Sequence, residues 1–311
     1  MSSTAHENTK TRKHEESVLF VLSSFRGVRA CARPSARVTA AIVPLAIALS
    51  SCDISVGHLT GRATEEWTHT YPLTRGGVVR IGNTNGTIDV EGVDGSNVEI
   101  RAEKIAKAAT DTGARELLPR ITIKEEIAPD RVTIETEKWS GLMLGAGYEV
   151  LYHVRAPKNA TIDVTTTNGR ISVAGVAGRV VAHTTNGGVT ARALTGGVDA
   201  RSTNGGVSVD MASLGSAPVS LRTTNGGVAL MLPDDAKASV SASWTNGGMN
   251  LAPGLKVEVT EQSRRKFEGR MNGGGTAIDL HTTNGGIRLR PRQDAAATAE
   301  KPADKDERRE R

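Results

Sequence analysis

The residues of this chain able to do chemistry recur at fixed steps along a repeat. His183 and His281 each stand three residues before an Asn of the same short motif, and Asp163, Asp199 and Asp279 stand five residues before one. Asp89 follows the first such Asn by four residues. Carboxylates can act as acid and base on a glycosidic bond, and imidazoles can bind metal, but both uses require side chains that converge. Here the carboxylates are separated by whole repeats and read as a solvated face. The two histidines have no third ligand at metal spacing, so neither a metal nor a cofactor is expected. Gly141-Leu142-Met143-Leu144-Gly145-Ala146-Gly147 is glycine-rich but lacks the Lys and Ser/Thr of a phosphate loop, and neither a serine nucleophile elbow nor an HExxH motif occurs. Trp139, Trp244 and Tyr148 are candidates for an exposed contact patch, with core or cap packing as the simpler reading. The expectation is a protein that is not an enzyme; the competing reading is a carbohydrate-active β-helix enzyme.

The elements that position these residues are set by a Thr-Asn-Gly motif with its Asn at Asn85, Asn168, Asn186, Asn204, Asn225, Asn246 and Asn284. Successive spacings are 83, 18, 18, 21, 21 and 38 residues. Six and four residues before each Asn the chain is apolar, as in Ile162 and Val164 or Val219 and Leu221. Three and five residues after it the chain is apolar again, as in Val207 and Val209. Period two on both sides of a fixed point means strand, bend, strand. Hairpins would repeat within the pair, whereas these copies match over 18 residues, so stacked coils fit better. Asn and Gly tolerate the left-handed backbone of a tight corner. Stacked Asn amides would bond from rung to rung, with a second ladder from the Thr that precedes each Asn, Thr167 and Thr185 among them. The expected fold is all-β: a parallel β-helix-like solenoid with Thr-Asn-Gly turns over residues 74–291. An excursion over about 99–150 is expected to cap its N-terminal end, and a disordered charged tail to occupy 292–311.

Composition supports that architecture. With 34 Gly against three each of Phe, Tyr and Trp, the core must be built from small β-branched residues in regular stacks. A net charge of +5 raises nucleic acid as a partner, but the basic residues are dispersed and lie beside no aromatic cluster, so none is expected. The N-terminal 1–51 contains Arg26, Arg29, Arg33 and Arg37, then the apolar run Val38 to Leu49, then Leu49-Ser50-Ser51-Cys52. That order makes a secretory signal too short for a permanent span. Its last four residues look like the lipobox of bacterial lipoproteins, which implies lipidation of Cys52. Cys31 and Cys52 are the two cysteines, so removal of the leader leaves no disulfide framework. Residues 52–73 read as a tether running into a first strand.

From Gly76 to Arg290 the chain resembles the bacterial putative-adhesin family of β-strand-repeat domains of unknown function. The residues carrying this are Val154-Arg155-Ala156-Pro157 followed by Ile162-Asp163-Val164, the spaced Thr-Asn-Gly-Gly-Val units, and Ile278 through Ile287. The resemblance implies a β-solenoid of envelope and surface proteins, and it supplies no catalytic residues. The combined expectation is a lipid-anchored bacterial cell-envelope protein, a non-catalytic adhesin or scaffold. It would sit on the inner or outer membrane facing periplasm or exterior, with an envelope glycan or protein as its partner.

Overall fold

The computed structural model describes residues 60–137 and 145–292, which are almost entirely β. The repeat appears as strand pairs on either side of each motif: β2 (Val78–Gly82) and β3 (Ile88–Val93), β8 (Thr161–Asn168) and β9 (Ile171–Ala174), β10 (Val180–Asn186) and β11 (Val189–Leu194). These are followed by β12 (Val198–Asn204) and β13 (Val207–Met211), then β14 (Val219–Asn225) and β15 (Val228–Leu232). In the last two copies the pair fuses into one long strand, β16 (Ala238–Leu251) and β19 (Thr276–Pro291). Equivalent residues lie side by side in parallel register, as in Val180 between Ile162 and Val198, or Asn186 between Asn168 and Asn204. The result is a solenoid-like stack in which each copy is one rung.

Two rows of strands face each other across the stack. The alternation read from the sequence decides what lies between them: Ile81, Val164, Ala182, Ala200, Leu221, Leu280 and Ala242 form one column with no exposed surface at all. Ile88, Ile171, Val189, Val207, Val228 and Ile287 form the facing column and are equally buried. Together with the flanking positions they make one apolar cluster running the length of the stack. Each Val, Leu or Ile of these columns contributes about 1.5–3 kcal/mol of burial, and the alanines less, which offsets the conformational entropy of long, aromatic-poor strands.

The motif itself is a bend, and its geometry differs in one respect from the sequence reading. Asn keeps extended backbone and stays within the strand ladder; the positive φ falls on the following glycine, 149° at Gly187, 156° at Gly205 and 156° at Gly285. A second reason for glycine is contact. A Cβ on Gly187 would lie 2.0 Å from the carbonyl oxygen of Gly169, and one on Gly205 2.0 Å from that of Gly187. The Asn side chains form the expected ladder. Asn168, Asn186, Asn204 and Asn225 each donate from Nδ2 to Oδ1 of the preceding Asn at 2.7–2.9 Å.

The rungs do not stack in chain order, which corrects a plain sequential array. Asn284 donates to Asn225, and Asn246 donates to Asn284, both at 2.8 Å. Strand β19 is therefore seated between β14 and β15 on one side and β16 on the other, so β16 is the outermost rung. The physical reason is the hairpin that follows it. Strands β17 (Val257–Gln262) and β18 (Lys266–Met271) fold back antiparallel on the outer side of β16 as an end cap, and the chain returns to fill the slot behind it.

The other end is built the same way. The expected cap comprises β4 (Asn97–Ala108), α1 (Asp111–Leu117), β5 (Ile123–Ala128), β6 (Arg131–Thr136) and β7 (Ala146–Pro157). Strands β6 and β7 pair parallel with β2 and β3, and β5 and β4 cover them antiparallel. Most of the segment read as a tether is structured: β1 (Gly61–Pro72) pairs with β4 along its whole length. Its Glu and His residues fit a strand because an edge strand with one solvated side needs few apolar residues. The lipobox with Cys52, Trp139, most of the glycine-rich loop and the charged tail beyond Arg292 lie outside the described residues.

Candidate functional site

Two outward rows flank the bends of β8, β10, β12, β14 and β19. Three residues before Asn stand Thr165, His183, Arg201, Arg222 and His281; immediately before it stand Thr185, Thr203, Thr224 and Thr283. Between the rows runs a surface groove of about 450 Å³. Both rows face outward because the residues between them, Thr166, Thr184, Ser202, Thr223 and Thr282, continue the inward alternation and are buried. This buried hydroxyl column lies two residues before Asn and was not singled out in the sequence, although the same period-two count reaches it. Its role is local. At the bend each glycine carbonyl would lose a strand partner, and the next rung's hydroxyl donates to it: Thr184 Oγ1 to Gly169 O at 3.0 Å, Ser202 Oγ to Gly187 O at 2.7 Å, Thr282 Oγ1 to Gly226 O at 2.9 Å. A buried carbonyl left without such a donor costs about 1–3 kcal/mol.

The groove's two arginines are committed to carboxylates beside it. Arg201 holds Asp199 through two hydrogen bonds of 2.9 Å, and His183 Nε2 lies 3.8 Å from the same carboxylate. Arg222 pairs with Asp279 and donates to Ser220 Oγ at 3.3 Å, while Arg80 pairs with Asp163 at 2.8 Å. Asp89 lies on β3, beyond the bend, 3.6 Å from His153 Nδ1. A carboxylate gripped by a planar guanidinium is an acceptor in a fixed fork and not a free base. His183 and His281 are three rungs apart, roughly 14 Å at strand spacing, too far to share a metal. Among the described residues no three His, Cys, Asp or Glu side chains converge. Ser243 Oγ and His281 Nδ1 touch at 2.9 Å, but no described carboxylate lies within ion-pair distance of His281 to orient it, so the contact lacks the third member of a hydrolytic triad.

The aromatic candidates do not form one patch. Trp244 is nearly buried at the β16 end of the core, and Tyr148 packs on the core in β7 near the opposite end. A grouping not singled out in the sequence lies on β1. Trp67 stacks on His69 with centroids 4.4 Å apart, and His69 continues to Tyr71 at 5.9 Å. Burial, with the hydrogen bond to Glu125 and that carboxylate's charge, pushes the Tyr71 phenol well above its ordinary range. Tyr152 is pushed up to about 12 by burial, against the lowering effect of its 2.7 Å hydrogen bond with Thr136. Both phenols stay neutral hydrogen-bonding groups at any physiological pH.

Comparison with known proteins gives a family and a set of distant structures. The family model described as Toastrack DUF4097 matches residues 42–290. The fold is similar to a solved putative cell adhesion protein from Clostridium sporogenes ATCC 15579, at 13% identity and a TM-score of 0.43, over 74% of this chain and 100% of that one. It is also similar to a putative adhesin from Bacteroides fragilis NCTC 9343, at 9% identity and a TM-score of 0.37, over 73% of this chain and 97% of that one. No curated protein matches the chain.

Proposed function

The chain belongs to the Toastrack DUF4097 family, and from its geometry and its leader we propose that it is a lipid-anchored bacterial cell-envelope protein whose stack is a non-catalytic binding or scaffolding module. We take the coils as a parallel β-helix with Thr-Asn-Gly corners. Cys52, once acylated, tethers the stack to the inner or outer membrane, because acyl chains bury many methylenes in the bilayer. The groove then faces periplasm or exterior and meets an envelope glycan or protein. The observation that carries the non-catalytic reading is the charge lattice beside the groove, in which Asp163, Asp199 and Asp279 are each held by an arginine. Such a surface offers regularly spaced hydroxyls and forked charge pairs but no free acid opposite a free base.

The experiment compares the full chain with Cys52→Ala in a bacterial host fed a clickable fatty acid. The parent is expected in the membrane fraction and labelled, and the variant unlabelled and released. Identical fractionation of the two without label would defeat the anchor. In parallel, the purified parent is incubated with peptidoglycan and envelope polysaccharide. Retention on the polymer without new reducing ends is expected; steady release of reducing ends, lost in Ser243→Ala or His281→Ala, would replace this reading with the carbohydrate-active enzyme.

A further inference from the structure

We propose that the outer edge of β16, from Thr245 to Leu251, is a docking strand on which an extended acidic segment of a partner protein adds as one more rung. This goes beyond the reading above: it uses a different part of the surface from the groove and requires no lipid anchor.

Four observations converge there. First, β16 pairs with β19 as far as Leu251, whereas β18 covers its outer side only from Ala238 to Ser243. The outer amide of Trp244 donates to Arg265 O at 3.1 Å, and beyond it the outer backbone groups from Thr245 to Leu251 face no strand among the described residues. Second, this edge lacks the charges that guard the others. Strand β1 carries Arg62, Glu65 and Glu66, β5 carries Lys124, Glu125 and Glu126, and β17 carries Glu258 and Glu261, while Thr245 to Leu251 has none. Charge on an edge is how sheets refuse further strands, so its absence at one edge marks the place where a strand is accepted. Third, Met249 and Leu251 are only partly buried, whereas Ile287 and Leu289 in the next rung inward are fully covered. An added strand would cover them.

The fourth observation selects the partner. Beside the edge lies a cleft of about 960 Å³ between Trp244–Gly247 and Ser263–Arg265. Arg264 and Arg265 are exposed and form no ion pair with a described residue, although the adjacent Lys266 holds both Glu261 and Glu268 at 2.9 Å. Two unpaired guanidinium groups next to an open strand edge fit carboxylates on an extended backbone. Asn246 adds a further acceptor: it donates to Asn284, and no described side chain donates to its own Oδ1.

The test uses the full chain and a short, fluorescent peptide of alternating valine and glutamate, with an otherwise identical peptide N-methylated at alternate backbone nitrogens. The parent is expected to bind the first peptide, with slowed amide exchange at Met249 to Leu251. Affinity is expected to fall about tenfold or more for the N-methylated peptide, and by a similar factor for the Arg264→Ala/Arg265→Ala variant with unchanged circular dichroism. Asn250→Glu, which places a guarding charge on the exposed edge, is expected to weaken binding as well. Equal affinity for both peptides, equal affinity for polygalacturonate, exchange protection elsewhere in the stack, or no binding at millimolar peptide would each overturn the proposal. Because every arm is read on purified protein, failure here leaves the Cys52 result untouched.

Discussion

Gly205→Ala is expected to cost about 4 kcal/mol, while Gly206→Ala, one residue later, is expected to change stability by less than about 1 kcal/mol. The two glycines look equivalent in the sequence. At Gly205 φ is 156°, and an added Cβ would stand 2.0 Å from Gly187 O and 2.5 Å from Gly187 C, both backbone atoms of the adjacent rung. Nothing there is the end of a flexible side chain, so the rungs must separate. Backbone strain of about 1–3 kcal/mol adds to an overpacking cost of similar size. At Gly206 the nearest atom is Gly227 O at 3.4 Å, ordinary contact, and alanine there lowers the entropy of the unfolded chain. For a domain of this size the first change corresponds to about 10 °C in thermal midpoint. Thermal unfolding followed by circular dichroism measures both; equal midpoints would show that the first glycine is not pressed against its neighbour.

Ending the chain before Thr276 is expected to prevent folding altogether, relative to a chain that ends at Arg292. In a stack laid down in sequence order, removing the last rung shortens the array and leaves the rest intact. Here the last strand in sequence is an interior rung. Its loss would strip β14 and β15 from β16 and delete Ile278, Leu280, Ile287 and Leu289, all fully buried. At about 1.5–3 kcal/mol each, those side chains amount to about 6–12 kcal/mol, comparable with the whole stability of a typical domain. The measurement is the soluble yield and far-ultraviolet spectrum of the two chains. A folded, soluble product of the shorter one would mean that β19 is peripheral.

Much of this architecture was legible because strand alternation is local. Ile162, Val164, Ile171 and Val173 announced their inward positions without any knowledge of neighbours, and the Asn spacing announced the stacking. The alternation extended also to Thr184 and Thr282, but hydroxyls in an inward column look like surface until the carbonyl they cap is seen. Rung order was not legible. The copies around Asn225, Asn246 and Asn284 are alike enough to exchange places, and only the 38-residue interval between the last two hinted at a detour. What decides the order is tertiary: the hairpin of β17 and β18 covers β16, not β19. The groove was half legible. Its His, Arg and Thr rows could be listed from register, but the commitment of Asp199 to Arg201 and of Asp279 to Arg222 depends on side-chain geometry that spacing does not carry. The aromatic run on β1 could have been found from Trp67, His69 and Tyr71 at alternate positions, had the segment been read as strand.

The order of the rungs underlies both the buried position of β19 and the open edge of β16, and side-chain amide proximities report it most directly. In an isotope-labelled sample with assigned Asn side chains, nuclear Overhauser contacts are expected from the Asn284 amide to those of both Asn225 and Asn246, with none between Asn225 and Asn246. A direct contact between Asn225 and Asn246, with Asn284 at the end of the ladder, would contradict the account.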